Sequence, residues 1–250
     1  MVHEQQDFDP VEEAKMIIDE AEKMNVTLRL LGGLAIRLHC HGQHSSHIRA
    51  CHDTDFFGLR CQSAQIEVLF KKLGYIPNPR YNSLYGYRRL KFYDKSNDRN
   101  VDVFLDRFEM DHELNFKQRV GLDRYTIPLT DLLLTKIQVV KVNEKDLKDI
   151  VAILEDHEVA SQPDKETIDL EYIAELCSRD WGLHKSVVAN LDILEPFITE
   201  HRLVVRDETA IMKKVKAIRE SIERTPKSLR WKIRAKIGER MSWYEKVEEG

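Results

Sequence analysis

Two carboxylates separated by one residue open the run Asp53-Thr54-Asp55-Phe56-Phe57. The apolar continuation predicts a strand over about 54–59, and residues i and i+2 of a strand share a face. Asp53 and Asp55 would then project together, about 7 Å apart at Cα, with Thr54 facing the other way. Two carboxylates so placed repel each other and gain from a shared hard cation. Asp102 offers a third. It lies in Asn100-Val101-Asp102-Val103-Phe104, where a charge among apolar neighbours must be solvated, paired or bound to metal. If that strand lies beside the first, at about 4.8 Å, Asp102 joins the pair. Three convergent aspartates can hold two magnesium ions about 3.5–4 Å apart, the arrangement used for in-line phosphoryl displacement.

A second element precedes them. Leu30-Leu31-Gly32-Gly33-Leu34-Ala35 reads as strand, two glycines and helix. Glycines let backbone approach phosphate oxygens, and a helix start presents free N–H groups. The pattern is weak alone. It gains weight when Asp-x-Asp and then a lone strand aspartate follow it in order.

The elements that must position these residues follow from periodicity. Val11, Ala14, Ile17, Ile18 and Ala21 predict a helix over 10–24, with Pro10 in its first turn. Strands are expected at 26–31 and 54–59, with a short helix from Leu34 to about Cys40 between them. A helix over 63–73 should end at Gly74. Residues 85–93 and 100–106 read as antiparallel strands joined by a turn at 95–99, and a short strand is expected at 124–127. Helices follow at 129–141 and 144–156. Residues 161–164, with Pro163, read as a linker, and helices at 169–179, 183–200, 207–223 and 227–243 complete the chain. The expectation is thus an α/β (α+β) domain over 1–157, a mixed sheet flanked by helices, and an all-helical region over 165–250.

Composition bounds the function classes. Hydrophobic residues make up 42% and charged residues 33% of the 250, with a net charge of −4. That balance gives no global pull toward nucleic acid or membrane. The acidic N-terminus lacks the apolar run of a secretory leader. No apolar stretch approaches the roughly 18 residues of a membrane span. The four cysteines, Cys40, Cys51, Cys61 and Cys177, follow no disulfide framework, so a reducing cytoplasm is expected.

The order of the glycine pair, Asp-x-Asp and a third strand aspartate resembles the polymerase-β-type nucleotidyltransferase superfamily, and within it the minimal and abortive-infection-toxin-type nucleotidyltransferases. Arg49 stands four residues before Asp53, as in the family's Arg-x-Ser/Thr-x-Asp-x-Asp pattern. Leu132-Leu133-Leu134-Thr135-Lys136 and Lys145-Asp146-Leu147-Lys148-Asp149-Ile150 resemble the family's paired helices. The likeness covers about residues 26–156. It departs in having Gly-Gly for the usual Gly-Ser and Cys51 for the common Ser/Thr before Asp53.

The resemblance implies a nucleotidyltransferase-like fold and a site. Gly32 and Gly33 would line the triphosphate, with Arg49, Asp146 and Asp149 on the nucleotide side. Asp53, Asp55 and Asp102 would bind magnesium, or manganese in its place. Asp102 would also act as or orient the general base, and Lys136 would neutralise phosphate charge. The implied activity is transfer of a nucleoside monophosphate from an NTP to an acceptor hydroxyl on an RNA end, a protein or a small molecule. A toxin role with an antitoxin partner is implied as well. A catalytically silent nucleotide-binding or protein-interaction module with the same fold is the alternative, and antibiotic nucleotidylation is a third reading.

Three further clusters have plainer explanations. His39-Cys40-His41, His44, His47 and Cys51-His52 match no common structural zinc spacing. Tyr81, Tyr85, Tyr87, Arg88 and Arg89 could stack bases, although a solvated sheet face explains them as well. Ile222, Leu229, Ile233 and Ile237 predict a packed stripe in the basic segment 224–240.

Overall fold

The first helix forms where the apolar spacing predicts it. In the computed structural model, which describes residues 9–40, 53–200 and 203–245, α1 spans Pro10–Lys23 and buries Val11, Ala14, Ile17, Ile18 and Ala21. Asp9 caps it by accepting from the Val11 N–H at 3.0 Å. β1 (Leu28–Leu31) runs straight into α2 (Gly32–His39), and β2 (Thr54–Gly58), α3 (Ser63–Lys72) and β3 (Ile76–Pro77) follow. After α4 (Pro79–Tyr85) come β4 (Arg89–Asp94) and β5 (Arg99–Leu105). The strands form one mixed five-stranded sheet in the order β1-β2-β5-β4-β3, in which only β2 and β5 pair in parallel.

Alternation gives this sheet one largely apolar face and a second face on which Asp55 and Asp102 stand beside the buried Leu31, Phe57 and Phe104. Phe56, Val101, Val103, Leu90 and Phe92 are buried with Ile66, Leu69 and Phe70 of α3. Phe70 stacks on Phe92 at 4.5 Å and meets Phe56 edge-on at 5.8 Å. Each such ring stabilises the fold by about 1.5–3 kcal/mol through burial. Arg99 pins the start of β5. It pairs with Asp94 at 2.9 Å and with Glu13 of α1, which also accepts from the Tyr75 hydroxyl.

Two expectations fail locally. Residues 79–85 are helix, because Asn78 caps the Tyr81 N–H and Pro79 suits a first turn. β4 therefore begins at Arg89 rather than residue 85. The strand expected at 124–127 is a single bridge between Leu30 and Thr126. Asp123 accepts from the N–H groups of Tyr125 and Thr126, bending the chain before it can extend.

After β6 (Arg107–Glu109) and β7 (Glu113–Asn115), α5 (Leu129–Ile137) and α6 (Glu144–Asp156) lead to β8 (Glu158–Ala160) and β9 (Thr167–Asp169). α7 (Leu170–Arg179), α8 (Trp181–Asp192), α9 (Leu194–Glu200), α10 (Glu208–Arg224) and α11 (Leu229–Ile237) complete the described chain. Residues 161–164 connect β8 to β9, which pair in parallel. Among the described residues no helix is long and apolar enough to cross a membrane.

The described chain divides into two units, and not at the expected 157/165 boundary. The first holds residues 9–38, 53–107 and 116–127; the second holds 39–40, 108–115 and everything described from 128 onward. The reason is α5. Every residue from Leu129 to Ile137 is buried, and the helix packs on α6, α8 and β9 of its own unit. The basic segment departs as well. Ile222 is buried in α10, but α11 buries no residue, and Leu229, Ile233 and Ile237 are exposed. Ser228 caps a new helix there, so the predicted stripe is broken.

Candidate active site

The sheet register sets Asp55 and Asp102 directly abreast. They are Cα partners in the parallel pair β2–β5, and adjacent strands lie about 4.8 Å apart. Thr54 is buried and its hydroxyl meets Arg99, on the face of β2 opposite Asp55. Asp53 lies one residue before β2 and is exposed; Asp55 is half-buried.

Gly32 closes the other side. Leu31 is the cross-strand partner of Asp55, and Gly32 follows with φ +71°. A Cβ at Gly32 would stand 2.6 Å from Asp55 Oδ2. Glycine is thus required twice, by the left-handed backbone and by the approach of the carboxylate. Gly32→Ala is expected to cost about 1–3 kcal/mol from the backbone conformation alone and to displace Asp55. A fall in the urea midpoint together with weakened Mn2+ binding is the check; unchanged values for both would refute it.

Asp102 already has a cationic neighbour. Arg89 of β4 donates from Nη2 to Asp102 Oδ2, and its guanidinium lies 4.4 Å from the Phe104 ring centroid. The Asp102 side chain is only 12% exposed, and its Oδ1 is buried without a hydrogen-bond partner. Leaving a carboxylate oxygen in that state is costly, and a hard cation is one group that would satisfy it. The donor set of Asp55, Asp102 and Asp53, with the space that Gly32 leaves at Asp55, fits magnesium or manganese chemistry. The three carboxylates are not drawn together as tightly as His39, His157 and Glu166, whose donor atoms all lie within 4.8 Å of one another.

The sequence carries a signal for the pairing of Arg89 with Asp102. In Arg89-Leu90-Lys91-Phe92 the cations alternate with core residues, opposite the lone aspartate of Val101-Asp102-Val103. Cross-strand charge pairing follows from that pattern. The aromatic cluster is also cationic: Lys91 lies over Tyr81 at 4.6 Å, and Arg88 over Tyr85 and Tyr87 at 5.6 and 5.4 Å.

Lys136, Asp146 and Asp149 belong to the second unit. The Lys136 ammonium is buried and lies 2.8 Å from a carboxylate oxygen of each aspartate. Burial opposes its charge, but Asp149 and Asp146 outweigh burial and hold the pKa above the ordinary value. Arg49, with His41, His44, His47, Cys51 and His52, lies outside the described residues. Cys40 is buried, which pushes its thiol up to about 12 and leaves little thiolate for a metal.

A cavity of about 720 Å³ in the second unit contains none of the predicted site residues. Trp181, Trp231 and Trp243 line it. Arg234 stacks on Trp181 at 4.8 Å and donates to the carbonyls of Gly238, Met241 and Ser242.

No protein-family model matches the sequence, and no curated protein matches it. Solved structures do show similarity. The lincosamide antibiotic adenylyltransferase LnuA, lincomycin-bound, is 17% identical with a TM-score of 0.42, covering 56% of this chain and 94% of its own. The antibiotic-resistance factor ANT(2'')-Ia is 11% identical with a TM-score of 0.40, covering 77% and 96%. An antigenic nucleotidyltransferase-like protein from Paracoccidioides brasiliensis is 13% identical with a TM-score of 0.43, covering 80% and 95%. At these identities and scores, activity has to be argued from the side chains.

Proposed function

We propose that this chain is a magnesium- or manganese-dependent nucleotidyltransferase that moves a nucleoside monophosphate from an NTP to an acceptor hydroxyl. The observation that carries this reading is Asp55 abreast of Asp102, with Gly32 shaped around the Asp55 carboxylate. Asp53, Asp55 and Asp102 would hold the divalent ion, which when bound neutralises charge on the phosphate oxygens. The Gly32-Gly33 backbone at the start of α2 would face the triphosphate with its N–H groups. Asp102 would accept or orient the proton of the acceptor hydroxyl. The hydroxyl oxygen then bonds to the α-phosphorus, the bond to the bridging oxygen breaks, and pyrophosphate leaves. Through the sequence resemblance Lys136 is assigned to neutralising phosphate charge, and Asp146 and Asp149 to holding Lys136 or contacting the nucleotide. Cys40, Cys61 and Cys177 are unbridged, which favours the cytoplasm. A toxin role with an antitoxin protein is the finer reading, resting on the same resemblance.

Incubating the chain with each α-labelled NTP, magnesium, total RNA and lysate protein tests the proposal. Label in RNA, protein or a small molecule supports transfer and names the acceptor class; label in none of them counts against it.

One observation favours a silent nucleotide-binding module instead: the Arg89 guanidinium sits on Asp102 as a built-in cation. Arg89→Gln separates the readings. If the ion competes with Arg89, the variant should bind Mn2+ roughly fivefold more tightly, since a partly exposed ion pair is worth up to about 1 kcal/mol. A silent module should bind no Mn2+ with either residue.

A further inference from the structure

We infer that His39, His157 and Glu166 form a transition-metal site of the zinc class, separate from the aspartates. It does not depend on the proposed activity.

The fold brings the three together from distant parts of the sequence. β8 and β9 pair in parallel with Glu158 opposite Thr167. The residues just before each strand, His157 at the end of α6 and Glu166, therefore come abreast. Asp164 fixes Glu166 by accepting from its N–H at 3.0 Å. His39 ends α2 and belongs to the same unit as the other two. The two imidazoles stand edge-on, 5.8 Å between centroids. Glu166 Oε2 lies 3.8 Å from Nδ1 of each histidine.

The dimensions suit a bound ion. Metal–ligand bonds of about 2.0–2.2 Å in a tetrahedral site put donor atoms about 3.3–3.6 Å apart; Glu166 Oε2 and His39 Nδ1, at 3.8 Å, come within a few tenths of an ångström of that, and one donor atom of each of the three residues lies within 4.8 Å of the other two. The imidazoles are 7% and 6% exposed and Glu166 is 68% exposed, which gives a dry floor with a carboxylate at the mouth. His157 adds an independent sign. Its Nδ1 lies 3.1 Å from the Glu166 carbonyl oxygen and can donate there, while its Nε2 is buried with no hydrogen-bond partner. A ring nitrogen engaged by a backbone carbonyl while the other nitrogen is left to a metal is a recurring support for histidine ligands. Two imidazoles and one carboxylate favour Zn2+, Co2+ or Ni2+ over Mg2+, which takes oxygen ligands. Three protein ligands leave a fourth position for water.

The test uses the full chain, stripped by chelator and titrated with Zn2+ by calorimetry and with Co2+ by visible absorption, both in excess Mg2+. The expected result is one tightly bound ion per chain and the visible bands of four-coordinate Co2+. His157→Ala and Glu166→Gln should each weaken binding by at least about tenfold, the lower range for disturbing a metal site, and Asp55→Asn should leave it unchanged. Glu166→Gln sits at the surface and keeps the test valid if His157→Ala fails to fold. Absence of binding in excess Mg2+ would overturn the site. So would binding that neither variant weakens, which would place the ion on other side chains such as His41, His44 or Cys51.

Discussion

Asp55→Asn is expected to reduce nucleotide transfer by about 10²–10³-fold or more, the scale of losing one preorganised electrostatic group at a reacting phosphate. Asparagine keeps the size of the side chain but removes the charge that, with Asp102, makes the site attractive to a divalent ion. Because Asp55 is half-buried on the face away from Phe56, Phe70 and Phe92, the fold should survive. Labelled product per unit time, measured beside a circular dichroism spectrum, is the check. A variant with native structure and wild-type turnover would remove Asp55 from the chemistry. Manganese titrations should show the same loss without any acceptor present.

The second large effect is expected at Lys136. Lys136→Met strips the cation from Asp146 and Asp149, both within 2.8 Å of it in the second unit. Breaking a buried ion pair from one side costs about 3–5 kcal/mol, because a buried charge is left uncompensated. Adding Asp149→Asn should recover part of that loss. The pH dependence has a definite sign. The ammonium's pKa is raised above its ordinary 10.5, so its contribution is fully present below that value and is lost as pH rises through the folded-state value. Urea denaturation of both chains should therefore show a difference that is constant near neutrality and shrinks in strongly alkaline buffer. A difference under 1 kcal/mol at neutral pH would mean that the ammonium is solvated.

What the sequence disclosed was mostly local. The stripe Val11, Ala14, Ile17, Ile18 and Ala21 predicted α1, and all five are buried. The glycine turn, the strand after Asp53 and the strand around Asp102 were legible from alternation. Their register was only a conditional expectation, since strand neighbours are chosen by long-range packing. α4 escapes a reading by periodicity because a seven-residue helix with no buried side chain shows no apolar stripe. Arg89 and Asp102 are 13 residues apart and meet only across β4 and β5. His39 drew attention among its sequence neighbours, yet its partners His157 and Glu166 lie far downstream. α5 and α6 fell inside the domain expected over 1–157 because their lysine, leucines and aspartates resemble a family pattern, whereas the complete burial of α5 ties it to the helical unit.

The chain's three tryptophans, Trp181, Trp231 and Trp243, all line the same cavity in the second unit. Indole emission consequently reports on that unit alone, and the sheet carrying Asp55 and Asp102 can be followed only through tyrosine and phenylalanine. Excitation selective for indole, run beside far-ultraviolet ellipticity, would reveal whether the two units melt together or in sequence. A shift in that emission when nucleotide is added would be direct evidence that the helical unit senses the ligand.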